Sequence, residues 1–81
     1  MPVIFRIDGI RFFFYSNEGS PREPVHVHVM RGACEAKIWV EPSVSVDWNS
    51  GFNGAELRDI MNNVVARREL IMACWHDYFG A

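Results

Sequence analysis

Two histidines two residues apart, His26 and His28, carry the first hint of chemistry in this chain. In an extended segment, residues i and i+2 project to the same side, with Cα atoms about 7 Å apart by strand rise. Such a pair of imidazoles can chelate one divalent metal if a third ligand converges. Glu35 is the best-placed third group, and Glu18 and Glu23 are others. Without metal, the same residues allow acid–base chemistry: a histidine moves the proton and Lys37 or an arginine steadies phosphate charge, as in nucleic-acid cleavage. The competing interpretation is plain: a strand keeps one face wet with polar residues.

The elements that must position these residues follow from alternation. Val25, Val27 and Val29 oppose His26, His28 and Met30, so residues 25–30 form a strand with one apolar face. Residues 34–41 alternate again, with Cys34, Ala36, Ile38 and Val40 against Glu35, Lys37, Trp39 and Glu41. A tight turn at Arg31-Gly32 pairs His28 with Glu35 and His26 with Lys37, and a slip of two residues keeps the faces but changes partners. On this premise both imidazoles and Glu35 share a wet surface away from the valines. Lys37 and Trp39 complete that surface.

Upstream, Val3 to Ile7 and Ile10 to Tyr15 flank Asp8-Gly9, a strong hairpin signal. The run Phe12-Phe13-Phe14-Tyr15 puts aromatics on both faces, as in a central or doubly covered strand. Residues 16–24 hold Gly19, Pro21 and Pro24 and read as a long loop. Its Glu18 and Glu23 can present carboxylates to the histidines or serve only a connector. Pro42 breaks the next strand, and Val44, Val46 and Trp48 allow a short fifth one. Asn53 and Glu56 have capping-box spacing. Leu57, Ile60, Met61 and Val64 then form an apolar stripe that resumes at Ile71, Trp75 and Tyr78. Arg67 and Arg68 interrupt it, either at a bend between two helices or as snorkelling residues on one, and they can also meet acidic groups on a partner. Gly80 ends the helical region.

The expected architecture is α+β: a four- or five-stranded antiparallel sheet over residues 1–49, with one face covered by a C-terminal helix or helix pair over 53–79. At 81 residues the chain makes one domain. Val25, Val27, Val29, Ala36, Ile38, Leu57, Ile60, Val64, Ile71 and Trp75 should form its core. Six phenylalanines, three tryptophans and two tyrosines are more than so thin a core hides, which places some aromatics on an interaction surface.

The net charge of −2 argues against a bulk electrostatic grip on nucleic acid or an anionic membrane, although a local arginine patch stays open. Cys34 and Cys74 read as small apolar residues in a reducing compartment rather than a disulfide. No signal peptide or membrane-length apolar run is visible, so the expected location is the cytoplasm. No phosphate-binding glycine loop, CxxC pair, nucleophile elbow or zincin helix occurs.

The segments F-R-I-D-G-I-R-F-F-F-Y-S-N-E, E-P-V-H-V-H-V, E-A-K-I-W-V-E-P, G-F-N-G-A-E-L and A-C-W-H-D-Y-F-G, in that order, resemble the small bacterial proteins of the domain of unknown function 4160 family. The likeness spans essentially the whole chain. Its histidine motif falls on Pro24, His26 and His28. Many relatives add a histidine and a Pro-Pro pair in the preceding loop, where this chain has Gly19-Ser20-Pro21-Arg22-Glu23, which weakens any three-histidine metal site. The resemblance implies a component of a toxin–antitoxin-like pair with a small protein partner encoded nearby, or self-association. Two functions are therefore expected. One is a non-enzymatic interaction protein that binds through exposed aromatics and the histidine face, with Glu18, Pro24, Trp39, Arg67 and Arg68 as contacts and no cofactor. The other is a small ribonuclease-like or metal-dependent hydrolase using His26, His28, Glu35 and Lys37, with any metal on His26, His28 and Glu35.

Overall fold

The computed structural model of the chain describes residues 2–17 and 23–80. Five strands, β1 (Val3–Ile7), β2 (Ile10–Phe13), β3 (His26–Arg31), β4 (Cys34–Trp39) and β5 (Ser45–Ser50), precede two helices, α1 (Gly54–Ala66) and α2 (Arg68–Phe79). The strands form one antiparallel sheet in the order β1-β2-β3-β4-β5. The fold is thus α+β, with the fifth strand present and the helical region divided in two.

Asp8 and Gly9 both take positive φ, 52° and 77°, as a two-residue type I′ turn requires. Ile7 therefore faces Ile10. The second hairpin departs from the expected register. Its turn is centred on Gly32-Ala33, with Arg31 opposite Cys34. Gly32 has φ 58°, which suits the first central position of a type II′ turn; Arg31 would be strained there. The pairs become Met30 with Glu35, His28 with Lys37 and His26 with Trp39. The slip is two residues, so every side chain keeps its face.

The valine face carries the core. Val25, Val27, Val29, Ala36, Ile38, Ile60, Val64, Ile71 and Trp75 are buried as expected, and Leu57 is half-buried at its rim. Phe12, Phe14, Val40 and Phe52 join them. Each fully buried aromatic or branched side chain contributes about 1.5–3 kcal/mol relative to exposure, so the aromatics of residues 12–14 matter greatly in a domain this small. Of the aromatics, Phe12, Phe13, Phe14, Phe52 and Trp75 are buried, whereas Trp48 and Tyr78 are exposed.

α1 starts at a complete capping box. The Asn53 side chain accepts from the Glu56 N–H at 2.8 Å, and Glu56 accepts from the Asn53 N–H at 3.0 Å. The helix ends at Arg67, whose φ of −115° and ψ of 21° leave the α region. Arg67 Nη1 donates to Asn63 Oδ1 at 2.9 Å, and its guanidinium lies 5.3 Å from the Phe5 ring centroid. Arg68 Nε donates to the Val40 carbonyl at 3.1 Å. The two arginines therefore mark a bend, and both are tied to the chain itself.

Candidate functional site

Alternation along β3 sends His26, His28 and Met30 to the sheet face opposite the valines. Pairing brings Phe13 beside His28 from β2, and Lys37 and Trp39 beside His28 and His26 from β4. Trp48 of β5 lies opposite Lys37. Tyr15, two residues past Phe13, closes over the same cluster.

The imidazoles are not on a wet surface. His26 is 0 % and His28 4 % exposed. The cause is an aromatic layer that alternation within one strand does not reveal. The His28 ring stacks on Phe13 at 5.8 Å between centroids and meets Tyr15 edge-on at 4.5 Å, with Trp48 at 6.1 Å. His26 is edge-on to Trp39 at 5.3 Å, Trp75 at 5.0 Å and His28 at 5.4 Å. Its Nδ1–H donates to the Pro24 carbonyl at 2.9 Å, which fixes the proton on that nitrogen because a carbonyl only accepts.

The polar groups form two small assemblies. In one, Tyr15 Oη donates to Glu35 Oε2 at 2.8 Å, and His28 Nδ1 lies 3.6 Å from the same oxygen. A carboxylate shared by a phenol and an imidazole is able to orient both. In the other, Lys37 Nζ sits 3.4 Å from Glu23 Oε1, 3.6 Å from Asp47 Oδ2 and 4.4 Å from the Trp39 ring centroid. Its charge is met from three sides by its own chain.

His26, His28, Glu35, Lys37 and Trp39 are therefore brought together, and Pro24 contributes through its carbonyl. Arg67 and Arg68 sit at the helix bend instead. Glu18 lies outside the described residues. Tyr15 and Asp47 are the participants that sequence reasoning missed. Tyr15 was legible in principle, since it shares parity with Phe13. Asp47 was not, because it is the extra residue of a bulge between Lys37–Trp48 and Ile38–Val46. Among the described residues no group of three His, Cys, Asp or Glu side chains is gathered as a metal would need. Cys34 and Cys74 are free and half-buried.

On the helical side, Glu56 is held below the usual carboxylate range by the Asn53 backbone N–H and by Arg31, whose own pKa is raised by the same pair. Among the described residues no helix is long and apolar enough to cross a membrane.

Comparison with known proteins returns no match among curated proteins and none among solved structures. One family model does match, over residues 9–76, which begins within the first hairpin turn and takes in the histidine strand and nearly all of the helical region. The chain belongs to the family described as Domain of unknown function (DUF4160).

Proposed function

We propose that this chain is a small cytoplasmic interaction protein, one component of a bacterial toxin–antitoxin-like pair, acting by binding a protein partner rather than by turning over a substrate. The observation that carries this reading is the burial of His26 and His28 in an aromatic layer. Side chains packed in this way support a surface and offer little contact to a substrate. The surface they support includes Trp48, 40 % exposed, at the rim of the cluster. Leu70, Val65 and Tyr78 are further exposed apolar side chains on the helices. A groove of about 340 Å³ lies between Val3, Ile4, Phe14, Cys74 and Tyr78. Large exposed apolar groups of this kind favour protein contacts.

Both sheet edges carry a bulge, at Ile4 in β1 and at Asp47 in β5. Bulges discourage strand addition, so the partner docks on a face of the protein rather than by extending the sheet. The partner is a small protein encoded nearby; self-association is the other form this reading takes. The test is purification of the tagged chain from native cells. A stoichiometric small protein that re-forms the complex from purified components supports the reading. A chain that remains alone and monomeric contradicts it.

One observation favours the alternative, a small ribonuclease-like or metal-dependent hydrolase: the Tyr15–Glu35–His28 array places a phenol and an imidazole on one carboxylate. On that reading Glu35→Gln removes RNA cleavage or toxicity while the fold persists, and a hydrolase using metal purifies with stoichiometric metal. Unchanged behaviour of Glu35→Gln sets the alternative aside.

A further inference from the structure

Arg6 and Arg11 stand directly opposite each other on β1 and β2. Opposed residues in an antiparallel pair share a face, with Cβ atoms about 4.5–5.5 Å apart, and like charges in that position destabilise the sheet. The other cations of the sheet are compensated: Arg31 pairs with Glu56, and Lys37 with Glu23 and Asp47. Among the described residues no carboxylate is within ion-pair distance of Arg6 or Arg11. Arg11 is also held in place. Its Nη2 lies 2.9 Å from Met30 Sδ and its guanidinium carbon 6.0 Å from the Phe13 ring centroid. A guanidinium fixed by its own neighbours loses little freedom when it binds an anion.

We propose that the Arg6–Arg11 pair is the docking site for a short acidic segment of the protein partner, its carboxylates seated on the two guanidiniums. This deepens the interaction reading above and rests on it. The extent of the positive charge favours a short acidic peptide over nucleic acid. The cross-strand row that begins Arg6–Arg11 continues through Met30 to Glu35 and Ser50. A phosphate backbone following that row meets a carboxylate two strands beyond Arg11. The net charge of −2 offers a long polyanion no wider attraction. Two adjacent forks match one or two carboxylates, and carboxylate–guanidinium pairing is bidentate.

The test titrates the full chain with a poly-glutamate peptide and, in parallel, with an oligouridylate of equal charge at the same ionic strength. The arginine side-chain N–H resonances are followed by NMR. The peptide is expected to shift Arg6 and Arg11 saturably, and Arg6→Gln with Arg11→Gln to weaken it about tenfold. Thermal stability of the double variant should be unchanged or higher, because a repulsion is removed. Equal binding by the double variant, preference for the oligouridylate, or a loss of stability that marks the arginines as structural overturns the site. Capture from native cells separates the two levels. If wild type and double variant retain one partner equally, the arginine site fails and the interaction reading stands. If wild type retains none and is monomeric, the interaction reading fails, and with it the assignment of this pair to a partner.

Discussion

Tyr15 and Glu35 meet across the sheet, phenol to carboxylate at 2.8 Å, although twenty residues separate them in the chain. This bond ties the segment after β2 to β4 beside His28 of β3. It makes the open face a packed layer with a polar core of its own. Removing it by Tyr15→Phe leaves a half-buried carboxylate short of one donor. A hydrogen bond to a charged group contributes about 1.5–3 kcal/mol, and partial exposure brings the expected loss to about 1–2 kcal/mol. Urea denaturation of the variant measures it, and a loss below about 0.5 kcal/mol would show that water replaces the phenol without cost.

Gly51 joins β5 to α1 with φ 104°, and a Cβ built there falls 2.8 Å from Cys34 Sγ. Gly51→Ala is expected to cost about 1–3 kcal/mol from backbone strain and close contact together. Cys34→Ala in the same chain should recover only the Sγ part of the contact, because Cα and Cβ of residue 34, each 3.3 Å from the added Cβ, remain. Full recovery in denaturant melts would show that the backbone bears no strain.

Asn53→Ala removes the acceptor for the Glu56 N–H at the start of α1. The loss of an N-cap costs about 1 kcal/mol. Circular dichroism with thermal melting should show a lower midpoint and unchanged helix content at low temperature.

Glu56 titrates below its ordinary range in the folded protein, chiefly through the Asn53 N–H and then Arg31. A carboxyl depressed by folding adds stability that is present above its unfolded pKa. That stability is lost as pH falls through the folded value, where both states are protonated. Stability should therefore decline with acidification through and below the ordinary glutamate range, and Glu56→Gln should flatten that part of the curve. A wild-type and variant pair with parallel acid slopes would contradict the assignment.

The sheet and its faces were legible because strand alternation is local: Val25, Val27 and Val29 against His26 and His28 needs no knowledge of neighbours. The capping box at Asn53 and the hairpin at Asp8-Gly9 were legible for the same reason. The register of β3 and β4 was not, because it turns on which residue takes the positive φ, and Gly32 takes the first central position of the turn. The burial of the histidines was hidden for a different reason. Phe13, Tyr15, Trp39 and Trp48 come from β2, its following segment, β4 and β5, and Trp75 from α2, and only the assembled fold sets their rings around two imidazoles. The bend was half-legible, since Arg67 and Arg68 break the stripe and Arg67 reaches Asn63 only four residues back, but the bond from Arg68 to Val40 is a tertiary fact.

The central claim is that this face supports binding rather than chemistry, and paired variants in native cells test it most directly. Trp48→Ala alters the exposed rim, and Glu35→Gln alters the polar array beneath it. The measurement is the partner retained by each tagged variant, alongside the growth effect of expressing it. Loss of partner with Trp48→Ala, and wild-type retention and growth with Glu35→Gln, is the predicted result. Full retention by Trp48→Ala, with the growth effect abolished by Glu35→Gln in a folded protein, would contradict it.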